Sequence, residues 1–200
     1  MQERDLVHHG LAIKRHATPA AVAELLGLPE ARVAEVLSSS AAAQRAVEVH
    51  GAYALTPLAR LALEGRYGLH FAAIRANPEF TAAYESFEKI NRTLKQLITD
   101  WQTVDVGGSR VANDHGDHAY DAAIIDRLGK LSELMEPVFA RLSRHVPRFK
   151  LYEHKLIKAL EAAEDGDVTW VSDVRKASYH TVWFEMHEDL LRIMGRMREE

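Results

Sequence analysis

The apolar positions in the first forty residues recur at the spacing of short helices. The buried stripe predicted for the first helix consists of Leu6, Val7, Leu11 and Ile13. A second helix is predicted from Thr18 to Leu26, because Thr-Pro is a typical helix start and Gly27 tolerates the left-handed closing conformation. The chain restarts at 28–30, and the stripe of a third helix consists of Val33, Val36 and Leu37.

The period then changes from helical spacing to alternation in the segment VEVHGAYAL, residues 47–55. Gly51 lies at the centre of this segment, which predicts a short hairpin. Thr56 and Pro57 start a further helix that runs through Leu63. Three short helices followed by a hairpin are the order of a winged helix-turn-helix. We therefore expect a winged helix-turn-helix domain at residues 1–67.

From Phe71 onward the apolar pattern is helical throughout, with no strand pattern. Helices are predicted at 72–76, 79–101, 120–142, 152–163 and 172–197. A loop rich in glycine, asparagine and aspartate, VDVGGSRVANDHGDH, separates the second from the third. The predicted fold class is therefore mainly α, with an all-helical bundle domain at residues 68–200 after the winged helix.

The composition is that of a soluble globular chain, with 47% hydrophobic and 27% charged residues. The sequence has neither the basic and apolar start of a signal peptide nor an uninterrupted apolar run of about 18 residues, so we expect a cytoplasmic protein that does not enter a membrane. It contains no cysteine, which excludes disulfides and cysteine-ligated zinc.

The distribution of charge bears on DNA binding. The net charge is −4, and residues 1–70 hold seven Lys and Arg against seven Asp and Glu. DNA-binding domains usually carry a basic face, whereas the candidate recognition helix at 29–37 offers only Arg32. The other candidate DNA-binding residues are Gln44 and Arg45, which follow it, and His50 at the tip of the wing. The alternative is a winged helix that contacts protein.

Two segments concentrate histidines, acids and aromatic residues. In SYHTVWFEMHEDLL, residues 178–191, His180 and His187 are seven positions apart and therefore share a helix face. The second segment, NDHGDHAYD, spans residues 113–121. If the two pack together, the candidate ligand-binding residues are Trp101, Asn113, Asp114, His115, Asp117, Tyr120, His180, Trp183, His187 and Glu188. An organic ligand is favoured over a metal, because no established metal-ligand spacing is present.

The alternative for these segments is structural. Asp117 is then the N-cap of the following helix, and the core residues of the last helix are Val182, Trp183, Met186, Leu190, Ile193 and Met194. We expect the last helix to be both core and site, with the face of Val182, Met186, Leu190 and Ile193 in the core and the other face turned toward the acidic loop. No calcium loop, phosphate loop or GxSxG motif is present, so the sequence indicates no enzymatic chemistry and identifies no cofactor.

Four segments, residues 9–37, 83–108, 113–128 and 178–200, resemble an actinobacterial group of winged-helix, MarR-like regulators with a helical C-terminal half. The group's motifs read N-D-H-S-D-x-x-Y-D and D-S-Y-H-T-V-W-F-E-L-H-E-D-L-L. This chain departs from them at Gly116 and Ala177, where the group has serine and aspartate. The resemblance supports the two-part architecture, and similar modules are associated with phosphoenolpyruvate-utilising enzymes.

The leading functional hypothesis is a transcriptional regulator that binds double-stranded DNA as a homodimer, since a single winged helix with so few basic residues contacts few phosphates. Its helical domain then senses a small ligand or dimerises. The alternative is an accessory interaction module for a phosphotransfer enzyme that does not contact DNA. A third hypothesis is a small metal-dependent enzyme that uses the acids and histidines.

Overall fold

The computed structural model describes residues 1–198 and divides into two compact units. The first unit contains Met1–Asn77 together with the chain from Glu185 onward, and the second contains Pro78–Phe184. The first unit thus extends ten residues beyond the boundary expected at residue 67 and includes a C-terminal segment. Residues 199 and 200, which the predicted second domain includes, lie outside the described residues.

The first unit follows the predicted order of helices and hairpin. Its elements are α1 (Glu3–Lys14), α2 (Pro19–Leu26), α3 (Glu30–Ala42), β1 (Ala46–Val49), β2 (Ala52–Leu55), α4 (Pro57–His70) and α5 (Ala72–Arg75). Thr18 and Thr56 cap α2 and α4 with their hydroxyl oxygens, and Gly27 closes α2 in the left-handed conformation. The caps predicted from local sequence are confirmed.

The hairpin β1–β2 is antiparallel, with Val47 opposite Ala54. Its turn places His50 and Gly51 at positive φ, 53° and 79°, the combination that a two-residue hairpin turn matching the strand twist requires. Ala17 forms an isolated bridge with Tyr53, so the segment between α1 and α2 runs beside the hairpin.

The second unit consists of helices and one hairpin. Its elements are α6 (Pro78–Gln102), β3 (Thr103–Val106), β4 (Ser109–Ala112), α7 (His118–His145), α8 (Phe149–Glu164) and α9 (Thr169–Ser172). The last helix, α10 (Tyr179–Met194), contributes its residues up to Phe184 to this unit and the rest to the first. Within residues 1–198, no helix combines the length and apolar character needed to cross a bilayer.

The hairpin β3–β4 corrects the expectation of an all-helical second domain. Its strands pair antiparallel, with Val104 opposite Val111, in a segment predicted to be a loop. The sequence signal for this hairpin is short: Val104 and Val106 alternate with Asp105 ahead of Gly107-Gly108, a pair typical of two-residue hairpin turns. β4 is exposed along its whole length and β3 is at most half-buried, so burial imposes no longer alternation on the segment. Gly107 and Gly108 form the turn at positive φ.

The end of the chain contains a second difference from prediction. A single helix was expected over 172–197, but α9 ends at Ser172 and α10 starts at Tyr179. The hydroxyl oxygen of Ser178 accepts a hydrogen bond from the backbone N–H of Thr181. Ser178 thus acts as a helix N-cap, which accounts for the new start.

Candidate functional site

Arg32, the one basic residue of the candidate recognition helix, is held by two carboxylates. Its guanidinium donates to both oxygens of Glu3 on α1, with Nε–Oε1 at 3.0 Å and Nη2–Oε2 at 2.8 Å. It also donates to Glu35, one turn along α3. The hydrogen bond from Arg32 lowers the pKa of Glu3. Glu30 is exposed on the same helix, so the charges displayed by α3 sum to a negative value.

The other candidate DNA-binding residues lie at turns. Gln44 has a positive φ of 56°, and the backbone carbonyls of Gln44 and Arg45 both accept from the hydroxyl of Thr56. These contacts close the link between α3 and the hairpin. The side chains of Arg45 and His50 are exposed. Of the four candidate DNA-binding residues, Arg45 and His50 expose a basic or titratable group that no carboxylate within residues 1–198 holds in an ion pair, unlike Arg32.

The loop after β4 is organised around Asp121, a buried carboxylate in the first turn of α7. The Asn113 side-chain amide donates to Oδ1 of Asp121 at 2.9 Å and to the backbone carbonyl of Trp101 at 3.0 Å. Nδ1 of His115 lies 2.9 Å from Oδ2 of Asp121, and the His115 ring packs on the Trp101 ring at 4.5 Å. Two predicted site residues, Asn113 and His115, therefore meet at one carboxylate, which the candidate set did not include, and Trp101 contacts both of them.

Tyr120 and Asp117 fix the start of α7. The Tyr120 hydroxyl donates to the backbone carbonyls of Asp100 at 2.9 Å and Thr103 at 3.3 Å. Asp117 accepts from the backbone N–H groups of Ala119 and Tyr120, as an N-cap does. The predicted capping role of Asp117 is confirmed.

A cavity of about 490 Å³ opens between the hairpin β3–β4 and this loop. Its lining residues are Asp100, Thr103, Val104, Asp105, Arg110, Asn113, Asp114, Asp117 and Tyr120. Each of the four aspartates already has a partner in the protein, such as Arg127 for Asp100 and the N–H of Gly108 for Asp105. The cavity is acidic, since four aspartates face one arginine, Arg110, and all four aspartates accept hydrogen bonds from within the protein.

The first half of α10 is part of the core of the second unit. Trp183 is buried, donates from Nε1 to Oδ1 of Asn91 at 3.0 Å and stacks on Phe87 with ring centroids 5.2 Å apart. Tyr179 forms a hydrogen bond of 2.8 Å with the hydroxyl of Ser132. His180 is half-buried. The residues of the predicted core face of α10 are all buried, Val182 in this unit and Met186, Leu190 and Ile193 in the first unit.

The candidate residues of the second half of α10 belong to the first unit. His187 is buried there, and Glu188 forms ion pairs with Arg192 at 2.7 Å and with Arg198 at 3.7 Å. The ten candidate ligand-binding residues are thus divided between two units. The loop obtains its hydrogen-bond partners from α6, β3, α7 and itself, so these bonds give no reason to place it against the last helix.

A buried polar cluster in the first unit was missed by the sequence reasoning. Nε2 of His9 lies 2.8 Å from Oδ1 of Asp189, and Nδ1 lies 2.9 Å from the hydroxyl of Tyr67. The His9 and Asp189 side chains are both 0% exposed, and burial raises the pKa of Tyr67. The cluster joins α1, α4 and α10. The sequence indication was a pair of histidines within the apolar stripe of α1.

Within residues 1–198, no group of three or more histidine, aspartate or glutamate side chains is arranged to hold a metal ion. Comparison with known protein families, with curated proteins and with solved structures found no match to this chain. The resemblance to MarR-like regulators therefore stays a prediction from the sequence motifs.

Proposed function

We propose that this chain is an accessory interaction protein whose first unit is a winged helix that contacts protein rather than DNA. The observation that carries the proposal is the pairing of Arg32 with Glu3 and Glu35. The partner class that the sequence resemblance suggests is a phosphoenolpyruvate-utilising phosphotransfer enzyme.

The charges of α3 disfavour binding to the DNA backbone even if the ion pairs of Arg32 break. An exposed ion pair contributes only about 0–1 kcal/mol, so Arg32 can exchange Glu3 and Glu35 for a phosphate at little cost. The two released carboxylates then lie beside that phosphate, together with Glu30, and repel it. Specific DNA binding depends on several Lys and Arg contacts to phosphates. The described surface of α3 offers one cation against two acids of its own.

The runner-up function is a DNA-binding transcriptional regulator, and a specific observation favours it. The order of three helices and a two-stranded hairpin, with the short turn 27–29 between α2 and α3, supports a winged helix-turn-helix. His50 is exposed at the hairpin turn, where a wing contacts the backbone of DNA, and Arg45 is exposed at the opposite end of the hairpin, just before β1. Ligand sensing at the acidic cavity stays a prediction, and neither function depends on it.

Fluorescence anisotropy with labelled duplex DNA of mixed sequence distinguishes the two functions. At about 50 mM salt we expect no saturable binding tighter than about 100 μM, the weak end of ordinary non-specific binding. Saturable binding that weakens steeply between about 50 and 200 mM salt contradicts the proposal and supports the regulator. Calorimetric titration with a phosphoenolpyruvate-utilising enzyme from the same genome tests the suggested partner class.

A charge variant tests whether the pairing of Arg32 with two glutamates is what prevents DNA binding. Glu3→Gln with Glu35→Gln removes the two acids that hold Arg32, and we expect this double variant to gain salt-sensitive DNA binding. Glu133→Gln with Glu136→Gln is the matched control, because both glutamates are exposed on α7 and the net charge changes equally. If the control gains as much affinity as the α3 variant, then net charge rather than the local pairing of Arg32 governs binding.

A further inference from the structure

Helix α4 is apolar on two opposite sides. One side packs in the first unit through Ala59, Leu63 and Tyr67, which are buried. The other side carries Leu58 and Leu61, which are 78% and 66% exposed. A surface helix with one buried stripe ordinarily has polar residues opposite that stripe. The outward leucines of α4 therefore need a separate explanation.

Two glycines share the outward side. Residues turn by about 100° each along a helix, so Gly65 and Gly68 fall on the same side as Leu58 and Leu61. A Cβ added at either glycine meets nothing within 4 Å, and neither glycine has the positive φ that favours this residue. Nothing within the described chain requires glycine there, although glycine weakens a helix relative to alanine. Glycine on a helix surface allows close approach of another backbone.

The spacing of these residues is symmetric about Leu63. Leu61 and Leu58 precede Leu63 by two and five positions, and Gly65 and Gly68 follow it by two and five. Two copies of α4 can pair antiparallel through their outward sides, about a twofold axis that crosses the helices at the level of Leu63. Each Leu58 then lies at the level of Gly68 of the second copy. Each Leu61 likewise lies at the level of Gly65 of the second copy. A twofold interface requires such self-complementarity, with each protrusion opposite a gap in the same surface.

We propose that the outer α4 face is the surface through which two copies of this chain associate. This face is defined by Leu58, Leu61, Gly65, Gly68 and Leu69, the last being 83% exposed. The centre of the face has no charged side chain, because Glu64 lies at its edge and pairs with Arg192 at 3.6 Å. A face without Lys or Arg offers no cation to a phosphate backbone, and the self-complementary spacing favours a second copy over an unrelated protein.

The area available predicts a reversible dimer. A leucine side chain buries on the order of 100 Å² of apolar surface, so the six leucines of two faces bury on the order of 600 Å². A stable interface buries at least about 1,200 Å² in total. Pro57 and Ala62, which are exposed beside the leucines, enlarge the contact. We expect dissociation in the micromolar range. This inference goes beyond the proposed function, because it holds whether or not α3 meets DNA.

Sedimentation velocity of the full chain between about 1 and 200 μM tests the proposal, and we expect a concentration-dependent monomer–dimer equilibrium. Leu61→Glu places a charge at the centre of the interface and should weaken the dimer at least about tenfold. Gly65→Leu should weaken it comparably, because the gap for Leu61 of the second copy is filled. Leucine is also the better helix former, so this variant keeps or raises the melting temperature and separates dimer loss from unfolding.

Leu134→Glu is the matched control, since Leu134 is 61% exposed on α7, and it should leave the equilibrium unchanged. The absence of cysteine allows a direct test of orientation. A mixture of Leu58→Cys and Gly68→Cys chains should form a disulfide-linked heterodimer in higher yield than either chain forms a homodimer. A chain that stays monomeric up to about 200 μM, or a dimer that survives both Leu61→Glu and Gly65→Leu, overturns the proposal.

Discussion

His8, on α1, is buried in the first unit against Ser40, with Nε2 2.7 Å from the hydroxyl oxygen. Burial, followed by the nearby charge of Arg4, lowers the pKa of His8 from 6.5 to about 4. Between these values the unfolded chain binds a proton that the folded protein does not. The contribution of His8 to stability is therefore complete above about pH 6.5 and is lost as the pH falls toward 4. The loss is at most about 3 kcal/mol.

This residue predicts a specific pH dependence of unfolding. We expect the difference in the free energy of unfolding between about pH 7 and pH 4.5 to be smaller in His8→Gln than in the wild type, because glutamine does not titrate. Urea denaturation at the two pH values measures it. His16→Gln, at an exposed histidine just after α1, is the control and should retain the wild-type difference. Equal pH dependence in His8→Gln and the wild type contradicts the prediction.

At the scale of elements, the start of α7 depends on the Asp117 side chain, which accepts two backbone hydrogen bonds. Asp117→Ala leaves these N–H groups without their acceptor and should cost about 1 kcal/mol in urea denaturation. Asp117→Ser, which keeps an acceptor, should recover most of that loss. Asp126→Ala changes an exposed aspartate later in α7 and should shift stability by less than about 0.5 kcal/mol. Equal losses in Asp117→Ala and Asp126→Ala would show that the cap contributes nothing specific.

At the scale of the whole molecule, the first unit takes part of its core from the C-terminal segment. Leu190, Leu191 and Ile193 are buried there, and the Arg75 guanidinium donates to the backbone carbonyl of Ile193 at 2.6 Å. Lys14 pairs with Glu185 at 2.7 Å in the same unit. Loss of a buried Leu or Ile side chain costs about 2–5 kcal/mol, so loss of three approaches the whole stability of a small domain, about 5–15 kcal/mol.

A fragment of residues 1–77 should therefore lack a cooperative thermal transition by circular dichroism. The same fragment joined through a flexible linker to residues 185–198 should regain one, since it restores the three apolar side chains and the Asp189 partner of His9. Leu190→Asp in the joined fragment should abolish the transition again. Cooperative melting of the 1–77 fragment at the temperature of the joined one would show that the C-terminal segment is dispensable.

The sequence by itself determined the elements whose cause is local. Thr18, Thr56 and Asp117 are caps because a side-chain oxygen satisfies N–H groups two or three residues away, and such short-range chemistry is visible in the sequence. Gly27 and Gly51 mark positions of positive φ for the same reason. The apolar stripe of α10 was also predicted, because burial of one helix face imposes a period on the sequence.

Only the tertiary structure decided the pairings between distant residues. His9 and Asp189 are 180 positions apart, and Arg32 and Glu3 are 29 positions apart. Neither pairing produces a periodic pattern in the sequence. The candidate residues Asn113 and His115 contact each other and Trp101, yet Asp121, the carboxylate at which the first two meet, emerged only from the geometry. The hairpin β3–β4 has a local signal in Gly107-Gly108, but its largely exposed strands extend the apolar alternation over few residues, and a loop was expected there. Local hydrogen bonds and the periodic burial of a helix face can be recognised in the sequence, whereas contacts between distant segments arise only when the chain is folded.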